Sequence, residues 1–404
     1  MSFQTGLSGL NASGKNLDVI GNNIANSNTI GAKSSRVEFS AVVSASAGPS
    51  GGGGASAGIG VEVATISQQF TQGTINITGN NLDCAINGGG FFQLQLPDKS
   101  FAYTRDGQFK LDTKGNLITN AGASVLGYAT DVAGVPTSTS AIPLSIPTGA
   151  PIAAKATSEI ATSINLDARA PIAASAVPPT PYTTYGTTLD TFDAQGVKST
   201  VKLYFVKTAA DAWDVVDGDP AAGGTTLTTL NFDNSGNVLN LPTAIPITIP
   251  SSNPNIGTYS ATIDMSKSTQ YGTSYTVSDL TQNGYTAGTL TGLSINDEGV
   301  ITTRYSNGQS QATGQLALAI FRNTQGLKPV GQGNWEETPT SGQPIPGSPK
   351  QGNFGSINSG ALEASNVDLT AELVAMMTAQ RDYQANAQTI KTQDTVLQTL
   401  VNLR

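Results

Sequence analysis

The residue pattern in this chain with the most chemical potential is a recurring acidic turn. It occurs at Leu111-Asp112-Thr113-Lys114-Gly115-Asn116-Leu117, at Phe192-Asp193-Ala194-Gln195-Gly196-Val197, at Phe232-Asp233-Asn234-Ser235-Gly236-Asn237-Val238 and at Ile295-Asn296-Asp297-Glu298-Gly299-Val300. The first three read as apolar-Asp-x-x-Gly and the fourth as apolar-Asn-Asp-Glu-Gly, each with an apolar residue after. An Asp side chain accepts nearby backbone N–H groups and Gly supplies positive φ, so these units are expected to be hairpin turns. A calcium loop needs acids at positions one, three and five with Gly at six, and this spacing lacks them. Asp217-Gly218-Asp219 offers two carboxylates, but the Gly and the following Pro220 favour a solvated turn over an acid–base pair. Cys84, in Leu82-Asp83-Cys84-Ala85-Ile86, is expected to be a buried strand residue, with a crosslinking thiol as the alternative. Gly51-Gly52-Gly53-Gly54 lacks the Lys-Ser/Thr of a phosphate-binding loop and reads as low-complexity sequence.

Composition narrows the field further. The 404 residues contain no His, so His-based nucleophile pairs, general bases and metal sites are all removed. No catalytic, cofactor-binding or metal-ligating residue is expected. One Cys excludes an intrachain disulfide framework. A formal charge of −8 and a pI of about 4.6 argue against phosphate-mediated nucleic-acid binding. The start of the chain lacks the basic and continuous apolar regions of a cleaved secretion signal, and no run has the ~18 apolar residues of a membrane span.

The elements that organise these residues lie in a nested order. Phe3, Leu7, Leu10, Leu17 and Ile24 step by three, four and seven, which predicts a helix over 2–24. Gly6, Gly9, Gly14 and Gly21 weaken it by up to ~1 kcal/mol each. Leu369, Met376, Tyr383, Ile390 and Leu397 recur every seventh residue, with Leu373, Ala387 and Val401 filling most of the intervening positions and Gln380 and Asp394 interrupting. That is a heptad seam. Almost everything between the two helices reads as strand and turn, with Trp213 and Trp335 as core anchors. The expected fold is mainly β with terminal α-helices. It comprises a discontinuous coiled-coil domain (1–33 with 362–404), an extended connector (34–70 with 340–361), a discontinuous inner β-domain (71–145 with 285–339) and an inserted outer β-barrel or sandwich (146–284). The insert carries 6 Lys/Arg against 11 Asp/Glu, a net −5 of the chain's −8, as suits a solvent-facing module.

Three motifs then carry a resemblance. Asn23-Ile24-Ala25-Asn26-Ser27-Asn28-Thr29-Ile30-Gly31-Ala32-Lys33 resembles the N-terminal signature of bacterial flagellar axial proteins, the rod, hook and hook-associated subunits. The stretch Gly360-Ala361-Leu362-Glu363-Ala364-Ser365-Asn366-Val367-Asp368-Leu369, continued through Ala379-Gln380-Arg381-Asp382-Tyr383, is similar to the matching C-terminal end. Tyr103-Thr104-Arg105-Asp106-Gly107-Gln108-Phe109 looks like the inner β-domain of the same family. The likeness covers roughly the first 130 and last 115 residues, and Ala32 stands where relatives often carry an aromatic. Length and the acidic insert favour the hook members over the rod members.

The resemblance implies a self-assembling structural subunit of the curved tube that carries motor torque to the filament. It implies homopolymerisation, contact with the rod at one end and hook–filament junction proteins at the other, growth under a hook cap, and an extracellular location. Export would run uncleaved through the flagellar type III machinery. The assembly residues it suggests are Phe3, Leu7, Leu10, Leu17, Ile24, Asn26, Thr29, Gly31, Leu369, Leu373, Met376, Tyr383, Ile390, Leu397 and Leu400. A distal rod or hook-associated subunit is the alternative within the family. A secreted β-rich adhesin or carbohydrate-binding protein is the alternative outside it.

Overall fold

The computed structural model describes residues 2–43, 58–149, 151–173, 185–239, 244–254 and 256–402. The run Gly51-Gly52-Gly53-Gly54 and the side chains of Phe3 and Leu400 lie outside the described residues. The fold is mainly β, with helix α1 (Ser2–Ala25) near one end and helix α2 (Leu369–Asn402) near the other. Strands β1 (Ser35–Val43) and β2 (Gly58–Gln68) form an antiparallel hairpin whose register starts at Ser35↔Gln68.

The chain divides into two compact units. One comprises Met1–Gly149, Gly292–Thr303 and Ser310–Arg404; the other comprises Ala150–Thr291 and Arg304–Gln309. In the first unit, the strands Ser310–Leu316, Ser124–Tyr128, Phe91–Gln95, Phe101–Thr104, Asn334–Glu336 and Lys328–Gly331 are hydrogen-bonded neighbours in that order. Three early strands therefore lie together within one sheet, with late strands on both sides of them. One core beneath it gathers Cys84, Phe92, Phe109, Leu117, Val125, Leu316 and Ile357. A second is aromatic: Phe91, Tyr103, Phe321 and Trp335 pack edge to face with Phe70, at centroid separations of 4.7–6.0 Å.

The ranges 34–70 and 340–361 read from sequence as connector, and the structure finds strands in both. Residues 35–68 hold the β1–β2 hairpin. Ile345–Gly347 pairs with Leu318–Ile320, and Ser356–Ser359 pairs with Cys84–Asn87. Strands of three or four residues between Pro and Gly are too short for alternation to reveal.

The second unit is a sandwich. Strands 186–192, 198–209, 212–217 and 225–231 form one sheet, and 245–250, 258–264, 159–167, 269–271 and 276–282 form the other. Val201, Leu203, Phe205, Trp213, Ile245, Ile247 and Ile263 fill one core between them. The fully buried Trp213 donates its indole N–H to Gln270 Oε1 at 2.9 Å, linking the two sheets. The Asp217-Gly218-Asp219 pair is a turn: Gly218 has φ +82°, and Asp219 Oδ1 accepts from Ala221 N at 2.9 Å.

The acidic turns share one geometry. The first side-chain oxygen of Asp112, Asp193 and Asp233 accepts the backbone N–H two and four residues on, at 2.8–2.9 Å. Gly115, Gly196 and Gly236 follow at φ of +84°, +79° and +80°. In the fourth unit the acceptor is Asn296, an amide rather than an acid. A fifth copy at Asp131, with Gly134 at +92°, escaped the sequence reading.

Cys84 is fully buried, and burial, with the Asp83 charge second, pushes its thiol up to about 12. An unfolded thiol ionises near ~8.5. A raised acid pKa means the folded state keeps a proton that the unfolded state loses, so this thiol's contribution to stability falls as pH rises from the ordinary thiol range toward about 12. At pH 8 the native protein is expected to resist a maleimide reagent, with labelling appearing in step with urea unfolding of the first unit. Rapid stoichiometric labelling of the native protein contradicts the assigned burial.

Candidate assembly junction

The breakers that end α1 deliver the chain into a buried polar knot. Gly31 takes φ +70°, and a Cβ there would meet Arg105 C and Asp106 N at 2.7 Å, so only Gly fits. Its N–H donates to Glu363 O at 2.8 Å. Two residues on, the Lys33 ammonium donates to Glu363 Oε1 at 2.6 Å and to Thr71 O at 2.8 Å. Arg105 Nη1 reaches Glu363 Oε2 at 3.1 Å, and its Nη2 donates to Gly88 O at 2.9 Å. Gly73 N donates to Glu363 Oε1 at 2.9 Å. The Glu363 side chain is 0% exposed, as is that of Lys33, and that of Arg105 is 7% exposed over the Phe91 ring.

Charges this deep survive only when matched and hydrogen-bonded. Burial pushes both the Lys33 ammonium and the Arg105 guanidinium below their ordinary values, and Glu363 opposes the shift in each. Burial pushes Asp106 up, against a backbone hydrogen bond from Gln108.

Two asparagines extend the knot. Asn23 pairs with both backbone groups of Ser35 at 2.8 Å, as a strand neighbour would, and donates to Glu372 Oε1 at 2.9 Å. Asn366 Oδ1 accepts from Ser34 N at 2.7 Å, and its Nδ2 donates to Gln69 O at 2.7 Å. Asn366 is therefore a clamp, and the cap of α2 is Asp368, whose Oδ1 accepts from Thr370 N and Ala371 N. The three motifs that carried the resemblance meet here.

Helices α1 and α2 run antiparallel: Gly6 lies against Ile390, Gly9 against Asn386, Gly14 beside Tyr383 and Asn23 against Glu372. A Cβ on Gly9 would sit 2.9 Å from Asn386 Oδ1. The glycines that weaken α1 as an isolated helix thus let the two backbones close up. Gly60 of β2 lies closer still to the Ser8 hydroxyl, where a Cβ would sit 2.2 Å away, and Val61 N donates to that hydroxyl at 3.2 Å.

The heptad positions Tyr383 and Ile390 do face α1, but the residues between them differ from the sequence reading. Glu372, Ala379 and Asn386 take the inward places, one residue before Leu373, Gln380 and Ala387. Ala379 is 2% exposed, whereas Leu373, Gln380 and Asp394 are exposed. A glycine-lined partner accepts small and polar side chains at close range, so the inward row need not be large and apolar. Leu10 shares a groove with Gly14 and Tyr383. Leu17, Ile24 and Met376 are half-buried. Asn26 donates to Asn22 O at 2.9 Å at the end of α1, and Thr29 donates to Asn26 Oδ1. Leu7, Leu369 and Leu397 remain exposed. Sequence spacing flagged none of Lys33, Arg105, Glu363, Asn23 or Asn366 as site residues, although all five lie within or beside the quoted motifs.

Four family patterns match in order along the chain. "Flagella basal body rod protein" matches residues 3–33, "Flagellar hook protein FlgE/F/G D1 domain" 85–168, "Flagellar basal body protein FlaE D2 domain" 165–285, and "Flagellar basal body rod FlgEFG protein C-terminal" 358–403. The flagellar hook proteins FlgE of Escherichia coli and Salmonella typhimurium are each 42% identical over 100% of both chains. That of Treponema pallidum is 34% identical over 100% of this chain and 99% of its own. The crystal structure of Helicobacter pylori flagellar hook protein FlgE2 aligns with a TM-score of 0.55 at 16% identity, covering 72% of this chain and 100% of that one, a likeness of fold.

Removing one partner of a buried ion pair costs ~3–5 kcal/mol. Glu363→Gln is expected to lower unfolding stability by about that amount, read from the urea midpoint at constant m-value. Combining it with Lys33→Met should cost much less than the sum of the two single variants. Additive costs contradict the network.

Proposed function

This chain belongs to the flagellar hook protein family and is a structural subunit of the hook, outside the cell; from that premise we propose that it polymerises with itself through its terminal helices. The observation that carries the proposal is the uncovered side of α2. Leu369, Leu373 and Met377 recur every fourth residue and are 46%, 47% and 51% exposed, and Val396 and Leu397 repeat the exposure near the far end. Among the described residues no helix is long and apolar enough to cross a membrane, so a lipid-spanning use of this stripe is unsupported. Covering each such side chain contributes on the order of 1.5–3 kcal/mol at full burial, and neighbouring copies supply that cover.

On this reading both helical ends are weakly ordered in the free subunit and become ordered in the polymer, because helical stability comes mostly from packing of an apolar face, and part of that face here meets water. The polymer is a curved tube working as a universal joint that passes motor torque to the filament. Its proximal end meets the rod and its distal end the hook–filament junction proteins, and it grows beneath a cap after uncleaved export through the flagellar type III machinery. The acidic second unit supplies polar contacts that rearrange at little cost as the tube bends. The role is mechanical and asks for no catalysis.

Intact protein under polymerising conditions is expected to give short curved tubes by electron microscopy. The double variant Leu373→Asp, Met377→Asp is expected to stay monomeric by size exclusion with its β-sheet circular dichroism intact. Tubes from the double variant at the intact protein's yield contradict the proposal.

A further inference from the structure

A cleft of about 610 Å³ opens beside the junction, within the first unit. Ile66, Phe70 and Pro329 form apolar walls over the buried Trp335, and Asn26 and Gln332 stand among its polar lining residues. Lys33 is the sole charged residue lining it, and that ammonium is turned inward onto Glu363. At the same cleft, Gly331, Gln332 and Gly333 take three successive positive φ values of +90°, +57° and +71°, a conformation an L residue such as Gln332 rarely adopts.

The same unit carries an uncharged apolar knob. Ile77 is 89% exposed, more than any other large hydrophobic residue described. Residues 71–82 around it contain no Lys, Arg, Asp or Glu. The knob is held rigidly. Ile77 pairs with Ala361, Thr78 N donates to Gly360 O at 2.7 Å, and Asp83 accepts from the Thr78 hydroxyl at 2.6 Å and the Asn80 amide at 3.1 Å. Other well-exposed apolar side chains such as Val132, Val197 and Phe101 have charged residues one or two positions away. Val367, which lines the cleft, is six residues beyond the Ala361 that pairs with Ile77, at most ~20 Å of chain.

Resting on the self-assembly reading above, we infer that the Ile77 knob of one copy seats in this cleft of a second copy. The neutral apolar knob matches a cleft with no free charge. Knob and cleft are different patches of one surface, so the contact is head-to-tail and propagates instead of closing into a dimer. The rigid turn means little ordering is lost on docking.

The test mixes two full-length variants, Ile77→Cys and Ile66→Cys, and oxidises them before and after assembly; the native Cys84 is fully buried. A covalent dimer of the two variants is expected in tubes and absent from monomer. Ile77→Asp is expected to melt like the wild type and to need about tenfold or more protein to form tubes. Tubes without the mixed dimer, or Ile77→Asp assembling at the wild-type threshold, overturn the inference and leave self-assembly standing. Wild-type protein that forms no tubes overturns both.

Discussion

A carboxylate with no exposure to water has to be answered on every side, and Glu363 imposes that requirement on the whole junction. Its answers come from Lys33, Gly73 and Arg105, which lie 330, 290 and 258 positions away in sequence. The requirement is met only when the segment after α1, the segment before α2 and the Arg105 loop of the first unit's sheet have all arrived. An incomplete set leaves a buried charge unmatched, which is far worse than leaving all three segments in water. The trio therefore makes docking of the two chain ends an all-or-none event tied to the β-domain. The arrangement favours uniqueness of geometry over raw stability. An apolar trio would pack at comparable strength and accept small slips of register, which paired charges with fixed hydrogen-bond partners do not.

The hydrogen bonds around this centre follow the same logic. Asn23 and Asn366 do with side chains what a β-ladder does with backbone, holding Ser34 and Ser35 where the chain turns from helix to hairpin. Both are amides with a donor and an acceptor on one carbon, which an Asp or a Ser could not reproduce. Gly31 completes the set by allowing two backbones closer than any side chain permits.

Much of this architecture was legible in the residues. The two helices followed from apolar spacing, the mainly β character between them from the strand-and-turn pattern, and the turns from one repeated unit. The buried Cys84 followed from alternation, and Trp213 and Trp335 were expected as core anchors. The glycines of α1 were legible as residues and misleading as signals, since propensity counts their cost in isolation while Gly6 and Gly9 gain contact with Ile390 and Asn386. The inward row of α2 was misplaced by one residue for the same reason, because a heptad count expects large apolar side chains and the partner here admits Ala379 and Asn386. The ion trio was invisible to periodicity, being three single residues related only by the finished topology. The Asn296 turn shows that geometry at these corners needs an acceptor oxygen and a following Gly, with the charge itself dispensable.

The two segments that leave the helices, 26–34 and 363–368, are cross-tied. Gly31 N meets Glu363 O, Asn366 N meets Ala32 O, and Ser34 N meets the Asn366 side chain. Force pulled along both segments at once loads these links in shear, so several must rupture together. Tension applied to one segment alone peels them singly. A fold built this way resists axial load from its paired ends and yields to a tug on either end by itself.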